Sequence, residues 1–153
     1  MGAVFFYHLT RRPLEVTLPM LLEKSLQAGW RVYVRGTDPA ALSALDQQLW
    51  LEPAEGFLPH GLEGGPQDGD QPVLLGTSDS AANGAQCVIS VHGADLTAEE
   101  IQTAERACVL FDGQDVDALA KARTQWKALT DAGCAAQYWS EESGAWQKKA
   151  EKG

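Results

Sequence analysis

Hydrophobic positions along the chain follow two periods, and the alternation between them outlines the fold. Ala3 to Leu9 is apolar on both alternating faces, with Val4, Phe6 and His8 on one and Phe5, Tyr7 and Leu9 on the other. That pattern predicts a central strand covered on both sides. From Pro13 to Ala28 the leucines Leu14, Leu18, Leu21, Leu22 and Leu26 recur at helical spacing. Gly29 is placed to stop this helix, and Pro19 is expected to kink or delay its first turn. A second strand follows over Arg31 to Arg35. Asp38 before Pro39 reads as an N-cap followed by proline at the first helical position, opening a helix through Leu42 and Leu45 to Leu49 and Trp50. This β-α-β-α rhythm predicts a parallel sheet with helices on both faces.

His60 to Gln71 (HGLEGGPQDGDQ) is rich in Gly, Asp and Pro without periodicity, which predicts a solvated loop rather than strand or helix. Three short apolar runs come next: Pro72 to Leu75, Cys87 to Val91, and Ala107 to Phe111. A helix over Thr97 to Arg106 precedes the third. Asp115 to Ala132 reads as a helix ended by Gly133, Cys134 to Trp139 as the last strand, and Glu141 to Gly153 as a charged tail. A chain of 153 residues is long enough to bury one sizeable core. The expectation is a single α/β domain over residues 1–149, with 150–153 as a flexible tail.

Charge narrows the partners. The formal net charge is -9, and an acidic surface repels a phosphate backbone, which argues against direct, unaided DNA binding. Residues 1–117 carry 6 basic against 17 acidic residues, whereas 118–153 carry 6 basic against 4 acidic. The net-positive region is therefore the C-terminal segment. Cys87, Cys108 and Cys134 are widely spaced and odd in number, with no CxxC pattern, which predicts buried, reduced thiols and a cytoplasmic protein. The apolar run at the start is of strand length, too short for a membrane span or a signal segment.

Candidate chemistry is sparse. The turn Leu9 to Glu15 (LTRRPLE) stands where a doubly wound sheet would bind phosphates, yet it contains no glycine. Neither GxGxxG nor GxxxxGK[ST] occurs anywhere, so the backbone cannot wrap a pyrophosphate. The pattern is nucleotide-fold-like without a nucleotide-binding loop. Cys87, His92 and Asp95 lie close in sequence as a nucleophile, base and orienter, or else Cys87 is core packing and His92 with Asp95 a strand-end turn. His8, His60 and His92 lack the companions of a metal site. No cofactor, metal or small-molecule substrate is expected.

Two stretches read as binding surfaces. In Leu45 to Leu62 a helix ends in Trp50 and a loop presents Phe57, Leu58 and Pro59. Such aromatics either anchor a partner or fold over the sheet edge. On the closing helix, at about 100° per residue, Leu119, Arg123, Trp126, Lys127 and Thr130 share one arc, which sets an apolar contact beside two cations. That arc is either a receptor for an acidic segment or a solvated face with Trp126 in the core.

LDxxLWxxPxxxFxPH (Leu45 to His60) resembles the signature of the chi subunit of bacterial DNA polymerase III holoenzyme. The order of elements, the Gly/Asp-rich loop followed directly by PVLL, and the closing WKALTDAG extend the resemblance across nearly the whole chain. It implies a Rossmann-like α/β fold without a nucleotide site and an accessory role in the clamp-loader complex, with no catalysis of its own. It also implies two protein partners. The psi subunit would meet Trp50, Phe57 and Pro59, flanked by Leu58 and His60. The acidic tail of single-stranded DNA-binding protein, which ends in an aromatic residue and a free carboxylate, would meet Arg123 and Lys127, with Trp126 lining a slot for its phenylalanine. The family can carry a further basic residue one turn earlier, where this chain has Leu119; Lys121 or Lys148 are candidates to supply that charge.

The reading that follows is an adaptor bridging the clamp loader to protein-coated single-stranded DNA, touching DNA only indirectly and placed at the cytoplasmic replisome. The rivals are a small Cys/His enzyme or degenerate nucleotide-binding domain, and an adaptor for a helicase or repair factor acting through the Phe57 loop.

Overall fold

The computed structural model describes residues 3–10, 14–51, 60–64, 68–78, 83–140 and 146–152, except for the side chains of Glu15, Trp50, Leu51 and Asp68. Strand β1 spans Ala3–Leu9 and is followed by α1 (Leu14–Gln27), β2 (Val32–Arg35) and α2 (Pro39–Leu51). Then come β3 (Gly61–Leu62), β4 (Val73–Gly76), β5 (Cys87–Ser90), α3 (Ala98–Thr103), β6 (Arg106–Asp112), α4 (Val116–Asp131), β7 (Ala135–Ser140) and β8 (Gln147–Lys152). They form one sheet in the order β3-β4-β2-β5-β6-β1-β7-β8, parallel throughout except for the antiparallel β7–β8 pair.

The two-sided burial expected of β1 follows from its place between β6 and β7. Val4 and Phe6 pack with Ile101 of α3 and with Ala122 and Leu129 of α4. Phe5 and Tyr7 lie on the other face, against the cluster built by Leu18 and Leu22 of α1 and Leu42, Leu45 and Leu49 of α2. Each face thus carries two helices, and burying one leucine of this kind contributes about 1.5–3 kcal/mol.

Helix ends follow their sequence signals. Asp38 Oδ1 accepts from the Ala40 N–H at 3.0 Å, and Asp115 Oδ1 accepts from the N–H groups of Asp117 and Ala118. Thr97 and Glu100 form a reciprocal capping box at α3. The Glu100 carboxylate also meets Arg35 Nη1 at 2.6 Å, so a cap on one element holds the buried guanidinium of another. Gly133 stops α4 with φ +93, a left-handed conformation that glycine adopts without steric cost. All three cysteines are free and buried.

Several expectations are corrected. Helix α1 begins at Leu14, ahead of Pro19, so its start is not delayed; a proline this near the N-terminus forfeits only one intrahelical bond. The helix expected over Thr97 to Arg106 ends at Thr103, and β6 already begins at Arg106. His60 to Gln71 is not wholly loop, because Gly61–Leu62 pairs with β4 and Asp68–Asp70 forms a 3-10 turn. The free edge of β4 supplies the backbone partners, including Leu75 O for the Glu63 N–H at 2.7 Å. Nor is β7 the last strand. Gln147–Lys152, read as charged tail, adds to its edge as β8, including Ala150 to Lys152. Every residue of β8 is exposed; backbone pairing rather than burial forms it, so no apolar alternation announces it. Its lysines blunt the outer edge against further pairing.

Candidate functional site

The aromatic stretch begins on α2. Trp50 belongs to that helix, but its side chain lies outside the described residues, as do Phe57, Leu58 and Pro59. His60 is described, and it points inward: its side chain is 0% exposed. Nε2 donates to the Asp46 carbonyl oxygen at 3.1 Å, while Asp46 Oδ1 stands 3.3 Å away without an aligned hydrogen bond. His60 therefore ties the end of this stretch to the middle of α2 and is not presented at the surface as a contact residue.

On α4 the buried line runs through Ala122, Gln125 and Leu129, and the predicted arc lies on its flank. Leu119, Trp126 and Thr130 are half-buried, while Arg123 and Lys127 are exposed. Trp126 packs edge-on against Phe6 and Tyr138, with ring centroids at 5.4 and 6.0 Å. The aromatic is thus shared between core and surface, combining the two readings its sequence left open. Thr130 Oγ1 donates back to the Trp126 carbonyl at 2.8 Å, and Lys127 pairs with Asp131 one turn on at 3.0 Å. No described residue pairs with Arg123.

The two proposed substitute cations are not brought to this arc. Lys121 precedes Arg123 by two residues, about 200° round the helix, and on that opposite flank it pairs with Asp95 at 2.8 Å. Lys148 lies on β8 opposite Trp139, and Trp139 belongs to the α1-side groove with Phe5 and Met20. That is the sheet face away from α4.

Cys87, His92 and Asp95 are not assembled. Cys87 opens β5 deep in the α1-side core, 0% exposed, with Ser25 Oγ 3.8 Å from its sulfur. His92 lies beyond the far end of the strand, exposed, with φ +54; the strand from Cys87 to Ser90 alone carries the chain about 10 Å away from the thiol. Asp95 is exposed and engaged by Lys121. The neighbouring thiol of Cys108 is held well above its usual range by its hydrogen bond to Cys87 and by burial.

At the turn after β1, where a doubly wound sheet would bind phosphates, lies a cleft of about 800 Å³ bordered by the carboxyl ends of β1 and β6 and by the start of α4. Only the order of strands in the sheet creates it. Where a nucleotide-binding sheet would offer free N–H groups, Asp115 caps α4 with its own carboxylate.

A family model described as DNA polymerase III chi subunit, HolC, matches residues 1–137. The chain belongs to the DNA polymerase III chi subunit family. It is 35% identical over 71 residues to the DNA polymerase III subunit chi of Pseudomonas aeruginosa, a stretch covering 46% of this chain and 49% of that protein. The chain thus matches about half the length of that relative. Both candidate surfaces, Trp50 to His60 and Leu119 to Thr130, fall inside the family match, whereas β8 with Lys148 lies beyond it. No helix among the described residues is long and apolar enough to cross a membrane.

Proposed function

We propose that this chi-family chain bridges the psi subunit of the clamp loader to the acidic tail of single-stranded DNA-binding protein. It would do so at the cytoplasmic replisome and without nucleotidyl transfer of its own. The observation that carries the reading is Arg123, exposed and unpaired among the described residues, one turn from Lys127 and beside the half-exposed Trp126. Two cations next to an aromatic suit a peptide that ends in carboxylates and a phenylalanine. The protein has 21 acidic against 12 basic residues, so such a tail is attracted to the α4 face and repelled by most of the remaining surface. The psi contact is assigned to Trp50, Phe57, Leu58 and Pro59 on the strength of the family signature, with His60 as the anchor behind them. Joining two modest affinities in one small subunit raises the effective concentration of the clamp loader at coated DNA.

The test is a calorimetric or anisotropy titration with the acidic C-terminal peptide of the cognate single-stranded DNA-binding protein. Binding that weakens with salt and falls at least about tenfold in Arg123→Ala/Lys127→Ala supports the reading. An unchanged affinity in that double variant, or no saturable binding, removes it. Capture of the psi subunit by the wild type but not by Phe57→Ala tests the second face separately.

A further inference from the structure

We propose that β8 completes the α4 surface: the strip of sheet that β7 and β8 form beside that helix, with Tyr138 at its centre and Lys152 as a third cation, takes part of the same acidic tail. This inference rests on the reading above that such a tail binds at Arg123 and Lys127. β8 lies beyond residues 1–137, so the family match does not extend to this half of the surface.

The strip comes from topology. Helix α4 carries the chain from β6 to β7, and β1 lies between those two strands. The helix therefore crosses over β1, and Trp126 sits on its β7 flank, where the indole meets both Phe6 of β1 and Tyr138 of β7. β8 is added outside β7, about 5 Å further from the helix, and all its residues are exposed. The sheet thus continues past α4 as an open ledge. Tyr138 is fixed on that ledge, because its hydroxyl stands 2.8 Å from His8 Nδ1.

The pleat of the ledge sorts its charges. Ala136 and Tyr138 face α4, with the core cluster of that side, and Gln137 and Trp139 face away. Lys152 is in register with Ala136 and Ala150 with Tyr138, whereas Glu151 pairs with Gln137 and Lys148 with Trp139. Strict alternation would place Lys148 and Lys152 on one face. The irregularity between Tyr138 and Trp139 leaves Lys149 as an extra residue and turns the two lysines to opposite faces. Glu151, the one carboxylate of β8, is held on the far face by Gln137 Nε2 at 2.9 Å and Lys148 Nζ at 3.2 Å. Lys152 remains on the α4 side, exposed and without a partner among the described residues.

Spacing selects the occupant. β8 is antiparallel to β7 and so runs alongside α4 in the same direction. Trp126 and Tyr138 set a common level on helix and sheet. Arg123 precedes that level by about 4.5 Å on the helix, and Lys152 follows it by about 7 Å on the strand. Two unpaired cations therefore bracket an aromatic pair over about 11 Å, the length of about three extended residues. A segment with a phenylalanine between a free carboxylate and an upstream acid matches this order, and Lys127 between the two cations is shared with Asp131. Ala150 contributes only a methyl group beside Tyr138 and leaves the centre of the ledge low.

The experiment is fluorescence anisotropy of the fluorescein-labelled acidic C-terminal peptide of the cognate single-stranded DNA-binding protein against the full chain. Lys152→Gln is expected to weaken binding about threefold, and Ala150→Glu at least about fivefold, since it sets a carboxylate on the ledge. Lys148→Gln removes the same charge from the same strand on the opposite face and should stay within about 1.5-fold of wild type. Circular dichroism confirms that each variant is folded; all three positions are exposed. Equal effects of Lys152→Gln and Lys148→Gln, with Arg123→Ala/Lys127→Ala still weakening the complex, overturn the β8 contact and leave the α4 reading standing. Weakening by Lys152→Gln but not by Arg123→Ala/Lys127→Ala places the peptide on β8 alone and overturns the shared surface. Absence of saturable binding to wild type overturns both. Displacement of the peptide by oligothymidylate more readily than by unlabelled peptide overturns the peptide occupant in favour of single-stranded nucleic acid.

Discussion

Trp126 of α4 stands edge-on to Phe6 of β1 with ring centroids 5.4 Å apart, while Arg123, one turn earlier on the same helix, is exposed. Core and candidate binding face thus meet within a single turn, and substitutions can separate them. Trp126→Ala is expected to lower stability by about 2–4 kcal/mol, since it removes a large packed ring. Arg123→Ala should stay within about 0.5 kcal/mol of wild type. Urea denaturation of both variants checks this; a similar loss for the two would mean that Arg123 is structurally engaged.

Lys127 is partly occupied by its own helix, because Asp131 holds its ammonium at 3.0 Å. Both groups are well exposed, so the pair is weak. Asp131→Ala should free Lys127 and remove a repulsive carboxylate from the path of an acidic peptide. The expected gain in affinity for the single-stranded DNA-binding protein tail is roughly twofold, measured in the anisotropy assay with wild type alongside. A fall in affinity would place the peptide away from this turn.

His60 joins the aromatic stretch to α2 through the Asp46 carbonyl. Removing a fully buried donor leaves that carbonyl and the Asp46 carboxylate poorly satisfied, at a cost of about 1–3 kcal/mol. His60→Ala should show this loss in urea denaturation and should also weaken capture of the psi subunit, although its side chain does not reach the surface. Full capture by a destabilised His60→Ala would separate the clamp from the partner surface.

Alkaline pH offers a test of the α1-side packing. Burial first, and then the Cys108 sulfur, push the Tyr7 phenol well above its ordinary value of 10.0. A group whose folded pKa is raised contributes stability below the unfolded pKa and loses that contribution as pH rises. In the unfolded chain the phenol ionises near pH 10, whereas in the fold it stays neutral against Trp146, 5.3 Å away. Wild type should therefore lose stability relative to Tyr7→Phe as pH passes about 10. Parallel denaturation curves at neutral and alkaline pH measure the difference, and a constant gap between the two proteins would contradict the burial.

The residues themselves determined much of this molecule. The double-faced apolar run at Ala3 to Leu9, the caps at Asp38, Thr97 and Asp115, and the stop at Gly133 specify elements through local sterics and hydrogen bonding, and each is present. The LDxxLWxxPxxxFxPH stretch pointed to the family that the match over residues 1–137 shows. The flank of Lys121 was also legible, since two residues on a helix cannot share a side with Arg123. Tertiary structure decided the rest, because periodicity records whether a face is buried but not against what. It set β1 between β6 and β7, and that placement opens the cleft beside Asp112 and Gln125. It turned His60 inward to Asp46 and made a strand of the apolar-poor Gln147–Lys152 by offering the open edge of β7. Each outcome depends on groups far apart in sequence, whose meeting is fixed only when the whole sheet packs.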